Sequence, residues 1–320
     1  MKLSDTTKAF GLHGLIFALL IGLQFVLSDY HHNSVARIMV LATYAIGYNI
    51  AFGYTGLLSL GHALFFGAGM YGAGLTVQFL SFGPLAAFGA GIATSLIVAI
   101  LVGAVALRAT GVAFLIVTLM LAQAGYLAII HFREITSSDD GFVISTKLGP
   151  LELGSLQMTL VHPDVRYNIA LIVFGVCLFG CLLLVRSPIG RVLVAIRENE
   201  SRTLMLGYDT FKYKLLSLLI SGVMAGISGA TYALLFSYVG PAFTEIQFSI
   251  YPLLWSLLGG IGTTLGPFVG SVIMYYLIDI SSDLTQSYLF AVGIVLLILV
   301  LWFPKGILGT IREKWVQWLP

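Results

Sequence analysis

A chain of 320 residues that is 58% hydrophobic and only 9% charged is no ordinary soluble globule, whose charged share is about a quarter. Its net charge of +2 says little by itself, and the placement of the charges says more; no nucleic-acid partner is expected. Its mean hydropathy of +0.99, with several apolar runs near the ~20 residues a helix needs to cross a bilayer, predicts an all-α polytopic protein lodged in lipid.

Lys2 and Lys8 precede an apolar run at 11–27 with no A-x-A cleavage site after it, which predicts a retained first span rather than a removed signal peptide. A second span is expected at 35–52. A glycine-laced break follows, Gly53-Tyr-Thr-Gly56-Leu-Leu-Ser59-Leu-Gly61-His62, and a third span continues to about 80. Spans four and five are expected at 84–107, with Arg108 at the end, and at 112–130. The polar segment 131–166 is net acidic and too long for a simple connector, so a hairpin or short helix is expected within it. Span six covers 167–185. Its two cysteines, Cys177 and Cys181, stand at i, i+4 and read as small packing residues; no disulfide framework or zinc pattern is available.

The loop 186–214 holds six of the 16 Lys and Arg residues: Arg186, Arg191, Arg197, Arg202, Lys212 and Lys214. Ser187 can cap a helix that begins on Pro188. Ile189, Val192, Leu193 and Ile196 then give it one apolar face. Asn199 can cap a second short helix with Glu200 in its first turn, and Gly207 suits a left-handed stop. Span seven is expected at 215–239, and two short spans at 249–258 and 267–280. Between the short pair lies a second break, Gly259-Gly260-Ile-Gly262-Thr-Thr-Leu-Gly266. The last span, 288–303, leads to a basic tail with Lys305, Arg312 and Lys314.

Basic loops stay in the cytoplasm. Ten spans put the start, the basic loop and the tail inside and the acidic segment outside, with both termini cytoplasmic. The parity is the same if 249–280 is a pair of re-entrant half-helices. The expectation is one permease domain over 1–320, with 131–166 external and 186–214 internal.

No catalytic set is visible. The chain has no phosphate-binding G-x-x-x-x-G-K-[ST], no H-E-x-x-H and no G-x-S-x-G. His13 reads as a packing residue, and His31 and His32 as external. His62 reads either as a path-lining residue or as a bond to backbone at a broken helix. Non-helical backbone at membrane depth must be buried or line a cavity, and interrupted apolar segments in both halves point to a transport path. The path candidates are therefore Gly53, Gly56, Ser59, Gly61, His62, Gly259, Gly260 and Gly262. The glycines at 67, 69, 72 and 74 fit close helix packing instead. Ion-driven carriers need deep carboxylates; Asp279 is the one clear candidate and lies near a span end. The energy source is expected in another chain.

Three motifs, in order, resemble the LivM-type permease subunits of bacterial branched-chain amino acid ABC importers. They are the first glycine break through Ala63 and on to Tyr71; Gly190-Arg191-Val-Leu-Val-Ala195-Ile196-Arg197-Glu198-Asn199-Glu200 with Gly207 and Ser221-Gly222-Val-Met-Ala-Gly226-Ile-Ser-Gly229; and Leu258 through Gly270. The resemblance implies an inner-membrane location and four kinds of partner: a LivH-type second permease, two ATP-binding subunits, a periplasmic solute-binding protein, and the lipid bilayer. It implies no cofactor in this chain, since ATP and Mg would bind the ATPase subunits. It makes the stretch with Ala195, Arg197, Glu198, Asn199, Glu200 and Gly207 the coupling helix that docks on an ATPase, and so a non-catalytic subunit. One departure stands out: the family's T-G-G-x-[DN]-G pattern reads Thr136-Ser137-Ser138-Asp139-Asp140-Gly141 here. Serine takes positive φ less cheaply than glycine, so this turn is expected to differ. Branched-chain amino acids are the first solute expectation; urea, short amides and aromatic or other carboxylates are the alternatives. An autonomous secondary carrier is the reading from another class.

Overall fold

A computed structural model describes residues 5–153, 156–284, 287–303, 305–315 and 318. Among them are fourteen α-helices in chain order: α1 (Asp5–Leu23), α2 (Asp29–Asn49), α3 (His62–Leu80), α4 (Pro84–Ala106), α5 (Val112–His131), α6 (Arg133–Thr136), α7 (Pro163–Arg186), α8 (Pro188–Glu198), α9 (Glu200–Met205), α10 (Thr210–Phe236), α11 (Ile246–Gly259), α12 (Gly266–Leu284), α13 (Tyr288–Trp302) and α14 (Ile307–Lys314). Each of the ten expected spans is a helix. Among the described residues, seven helices are long and apolar enough to cross a membrane, and the chain is an integral membrane protein. At ~1.5 Å per residue, the 14 residues of α11 and the 15 of α13 fall short of a ~30 Å hydrocarbon core.

Proline placement explains several starts. Pro84, Pro163 and Pro188 open α4, α7 and α8, where the missing N–H would have had no helical partner. The helix α2 does not stop at Asn49 but loosens into a π-helical turn, Ile50–Tyr54, before the chain leaves helical geometry.

Both ends of the bundle are identified by contacts. Arg186 donates to Thr6 Oγ1 at 2.9 Å and to the Trp318 carbonyl at 3.4 Å, and Lys8 lies 6.0 Å from the Trp318 ring centre. The N-terminal helix, the basic loop and the tail thus share one end, hereafter the basic end. At the opposite end Lys147 Nζ donates to the Gln78 carbonyl at 2.9 Å, and Arg166 to Asn33 Oδ1 at 2.6 Å. This is the alternation that the charge pattern demands.

The middle of the bundle is α2, α3 and α10. Burial covers 78% of the apolar windows of α2 and α10 but 17% of those of α1 and α5, so the first pair is core and the second is rim. Small residues bring the core helices together. A Cβ on Gly69 would stand 2.2 Å from the Gly226 carbonyl oxygen, and one on Gly229 2.0 Å from that of Phe66. Gly67, Gly72 and Gly74 are equally tight, against Thr244, Thr94 and Val239, as the packing expectation required. Cys177 and Cys181 are free and buried in this core. His13 is buried too, bonded to the Ala9 carbonyl and, at 2.6 Å, to Thr264 Oγ1. His32 is buried and donates through Nε2 to the Gln24 carbonyl at 2.8 Å. Asp279 is half-buried, and both its oxygens accept from Tyr30 Oη at 3.0 and 2.9 Å.

The acidic segment contains both of the forms expected. It holds α6, a hairpin of β2 (Leu151–Leu153) and β3 (Leu156–Met158), and β1 (Phe142–Val143), which pairs antiparallel with β4 (Tyr238–Val239). The turn that was expected to differ keeps a glycine-like path: Ser137 and Ser138 sit at φ 60 and 53, and Gly141 at 64. Ser138 is held there by bonds of its Oγ to the Ile130 carbonyl and of its N–H to Thr136 Oγ1. Ser137 is exposed. Left-handed geometry costs a non-glycine residue about 1 kcal/mol or slightly more. Ser137→Gly is therefore expected to stabilise the fold by about 1 kcal/mol, read as a raised midpoint in a thermal-aggregation assay of the detergent-solubilised protein; an unchanged or lowered midpoint would contradict the strain.

Candidate functional site at the basic end

The loop is built by its caps. Ser187 Oγ accepts from the Gly190 N–H at 3.3 Å, Asn199 Oδ1 from Arg202 at 2.9 Å, and Asp209 Oδ1 from Lys212 at 3.2 Å. Gly207 stands at φ +89, the left-handed stop. Lys212, bonded to the Asp209 side chain and 3.0 Å away, holds that carboxyl below its usual range. Val192, Leu193 and Ile196 are buried under α8, so the amphipathic face is used as the spacing predicts. Glu200 is not free: it pairs with Lys214 on α10.

The two glycine breaks, 53–62 and 259–266, meet at this end. Asn49 joins them. Its Nδ2 donates to the Thr263 carbonyl at 2.9 Å, and its Oδ1 accepts from the Gly262 N–H at 3.1 Å. Gly53 lies against both: a Cβ there would fall 2.0 Å from Asn49 Oδ1 and 2.7 Å from the Gly262 nitrogen. Arg197 reaches in from α8 and donates through Nη1 to the Gly53 carbonyl at 2.5 Å. Arg312 of α14 donates to the Gly262 carbonyl at 3.0 Å. Gly56, at φ +80, rests on the Arg197 side chain. Two arginines thus hold the carbonyls of two broken segments, and one buried amide ties the segments to each other.

Deeper in, the first break leaves helical geometry between Tyr54 and His62, and hydroxyls bond several of its polar groups. Thr55 Oγ1 and Ser217 Oγ are 2.6 Å apart, Ser59 Oγ accepts from the Gly61 N–H at 3.1 Å, and Thr118 Oγ1 accepts from the Leu60 N–H at 3.2 Å. His62 opens α3, is fully buried, and bonds through Nε2 to Ser221 Oγ at 2.7 Å. Its Nδ1 has no partner among the described residues. Gly259 and Gly260 face the α12 and α14 backbones instead, against Gly266 and Gly309.

The structure divides the docking candidates. Arg197, Glu198, Asn199 and Glu200 line a cleft of about 490 Å³ with Gly56, Lys214 and the connection between α4 and α5. Ala195 is half-buried, and Glu198 and Asn199 are exposed. Sequence reasoning missed the strip beside them: Leu204, Met205, Leu206, Tyr208 and Phe211 are large, apolar and exposed, Met205 at 85%. The available signal was an apolar triplet, Leu204-Met-Leu206, inside the most charged stretch of the chain. Asn49, Ser217, Ser221 and Arg312 were missed as well. The clue to Asn49 was a lone amide in an apolar span.

The family profile described as "Branched-chain amino acid transport system / permease component" matches residues 30–302. The chain is 26% identical over 299 residues to the high-affinity branched-chain amino acid transport system permease protein LivM of Salmonella typhimurium, covering 86% of this chain and 69% of that one. It is 31% identical over 146 residues to the probable LivM of Methanocaldococcus jannaschii, 41% of each chain. It is also 25% identical over 294 residues to the LivH permease of Salmonella typhimurium, covering 87% of this chain and 94% of that one. No solved structure matches the chain significantly.

Proposed function

The chain belongs to the family of branched-chain amino acid transport system permease components, and from that premise we propose that it is the LivM-type transmembrane subunit of an ATP-driven importer. It carries branched-chain amino acids, or a similar small solute, across a bacterial inner membrane by alternating access. The basic end is the cytoplasmic end. The chain catalyses nothing itself; two ATP-binding subunits bind ATP and Mg and hydrolyse the nucleotide. A solute-binding protein delivers cargo at the opposite end. Similarity to both LivM and LivH relatives supports a pair of related permeases with the path between them.

The observation that carries this reading is the loop at 186–214. It is capped at each helix start, it exposes an apolar strip in a basic setting, and through Arg197 it holds the first glycine break, which Asn49 ties to the second. A surface of this kind suits a partner groove, and a push on it is felt where the backbone is least regular. ATP-driven closure of the partner subunits would shift α8 and α9 and, through Arg197 and Asn49, the segments 53–62 and 259–266.

The test uses co-expression with the neighbouring ATPase and permease subunits. A charge placed at the centre of a buried apolar contact costs about 2 kcal/mol or more. Met205→Glu is therefore expected to lower recovery of ATPase subunits with the tagged chain by at least about 30-fold, with membrane insertion unchanged. Glu200→Lys and a bulky residue at Gly207 are expected to separate ATP hydrolysis from uptake. Gradient-driven uptake by the purified chain alone in liposomes, with no ATPase present, would defeat the proposal.

A further inference from the structure

A second cleft, of about 590 Å³, opens at the basic end between α8, the second glycine break and α14. Its charged walls are Arg197, Lys305, Arg312 and Glu313, and Thr263 and Gly309 complete it. Backbone packing brings these residues together. Gly306, at φ +73, starts α14 against the break: a Cβ there would fall 2.5 Å from the Gly260 nitrogen and 2.5 Å from the Leu257 carbonyl oxygen. Lys305 precedes that turn and Arg312 follows it on α14. Both are thereby carried to the break that Arg197 reaches from α8. The two arginines converge on Gly262. A Cβ there would stand 3.0 Å from Arg197 Nη1, and Arg312 Nη1 donates to the Gly262 carbonyl at 3.0 Å.

The charges in the cleft do not balance. Arg197 and Arg312 each give one nitrogen to a backbone carbonyl. Both are exposed, and neither has a carboxylate partner among the described residues. Glu313, the one acid on the cleft, is taken by Lys305 at 2.7 Å. Two guanidinium groups at one residue repel each other unless an anion or water intervenes. The position of α14 says which anion is at hand. Lys305 comes three residues after Trp302, the last residue of the apolar α13. Trp302 and Trp315 stand at either side of α14 and are 76% and 82% exposed. Tryptophans gather where hydrocarbon meets head groups. Between them α14 packs Ile307 and Leu308 on the core and carries Arg312 and Lys314 in its last turn. The cleft is therefore at the level of the lipid phosphates.

We propose that this cleft binds the phosphate of an anionic phospholipid from the leaflet at the basic end. Guanidinium forks match phosphate oxygens in pairs, and basic pockets at the ends of membrane helices take such head groups. The phosphate bridges Arg197 and Arg312 and removes the repulsion between them. It ties α8 to α14 over the two glycine breaks, which the chain alone holds there through backbone carbonyls. A zwitterionic head group brings its own cation and gains less. Free inorganic phosphate offers the same oxygens but has no acyl chain to keep it at the bilayer. The site needs no nucleotide and is independent of the importer reading.

The experiment titrates the assembled complex with phosphatidylglycerol or phosphatidylcholine and counts retained lipid by native mass spectrometry. One basic charge near the membrane surface changes such binding by about fivefold, so phosphatidylglycerol should be held at least that much more tightly. Lys305→Gln should weaken its retention by about fivefold and Glu313→Gln should strengthen it by about as much. Lys314→Gln removes the same charge from the same helix but outside the cleft, and should change retention by less than about twofold because solvent screens it. All three side chains are exposed, so folding is not at stake. Inorganic phosphate at equal concentration should leave the lipid bound. The site is overturned by equal retention of the two lipids, or by unchanged or weaker retention in Glu313→Gln. A Lys314→Gln loss as large as that of Lys305→Gln also overturns it, by reducing the effect to general surface charge. Displacement by inorganic phosphate would assign the cleft to the free ion, and loss of ATPase subunits from the Lys305→Gln complex would make it a protein contact; either result ends the lipid assignment.

Discussion

Arg197→Gln is expected to leave the complex assembled and hydrolysing ATP while uptake falls at least tenfold. The arginine lies in the stretch assigned to docking, yet its Nη1 points back to the Gly53 carbonyl at 2.5 Å. A hydrogen bond from a charged donor contributes about 1.5–3 kcal/mol, a factor of ten or more in any equilibrium that depends on it. Without it, motion of α8 no longer carries the first glycine break. Arg197→Lys should rescue poorly, since a point charge does not replace the fork. Asn49→Ala should give the same separation of hydrolysis from uptake, because Asn49 is the residue that, among the described ones, bonds Gly262 and Thr263 to the end of α2. The double variant should be no worse than either single one if the two act in one chain of contacts. Paired measurement of ATPase rate and uptake in proteoliposomes decides it: wild-type uptake in either variant would remove these residues from the coupling route.

Gly259→Ala is expected to prevent accumulation of folded protein. A Cβ at that position would stand 1.7 Å from the Gly266 carbonyl oxygen, with the Gly270 nitrogen at 2.9 Å. The obstacle is backbone, which no rotamer change can relieve. The helices α11 and α12 would have to separate, and overpacking of this kind costs about 3 kcal/mol or more. Across the same contact a Cβ on Gly270 would fall 1.8 Å from the Trp255 carbonyl, so the interface is closed from both sides. Gly180→Ala is the matched control: a Cβ there meets nothing within 4 Å, and alanine favours a helix interior. Size-exclusion profiles of the two variants tagged with a fluorescent protein should show aggregate for the first and a wild-type peak for the second. A monodisperse Gly259→Ala peak would mean that α11 and α12 are held further apart than described.

Helix positions were legible because hydrocarbon leaves few choices. Runs of apolar residues near the bilayer thickness must be helical, and glycine, proline and charge mark their ends. Two caps of the loop were legible for the same reason, since Ser187 and Asn199 act on backbone three residues away; the third, Asp209, came from the structure. The outer turn was the local misjudgement. Its serines accept left-handed geometry because Ser138 is bonded to the chain around it, and such support is not written in the dipeptide.

Taken alone, the sequence determined the membrane class, ten helical segments, the shared end of both termini and the basic loop, and the presence of two glycine breaks. Each follows from local hydropathy, charge or backbone freedom. Only the tertiary structure decided that the breaks touch each other, that Asn49 and Arg312 hold them, that Arg197 turns inward, and that Arg37 lies against the Phe236 ring. Those contacts join residues 50 to 214 positions apart, and side-chain geometry of that range is set by which helix faces meet, a property of the packed bundle rather than of any one segment.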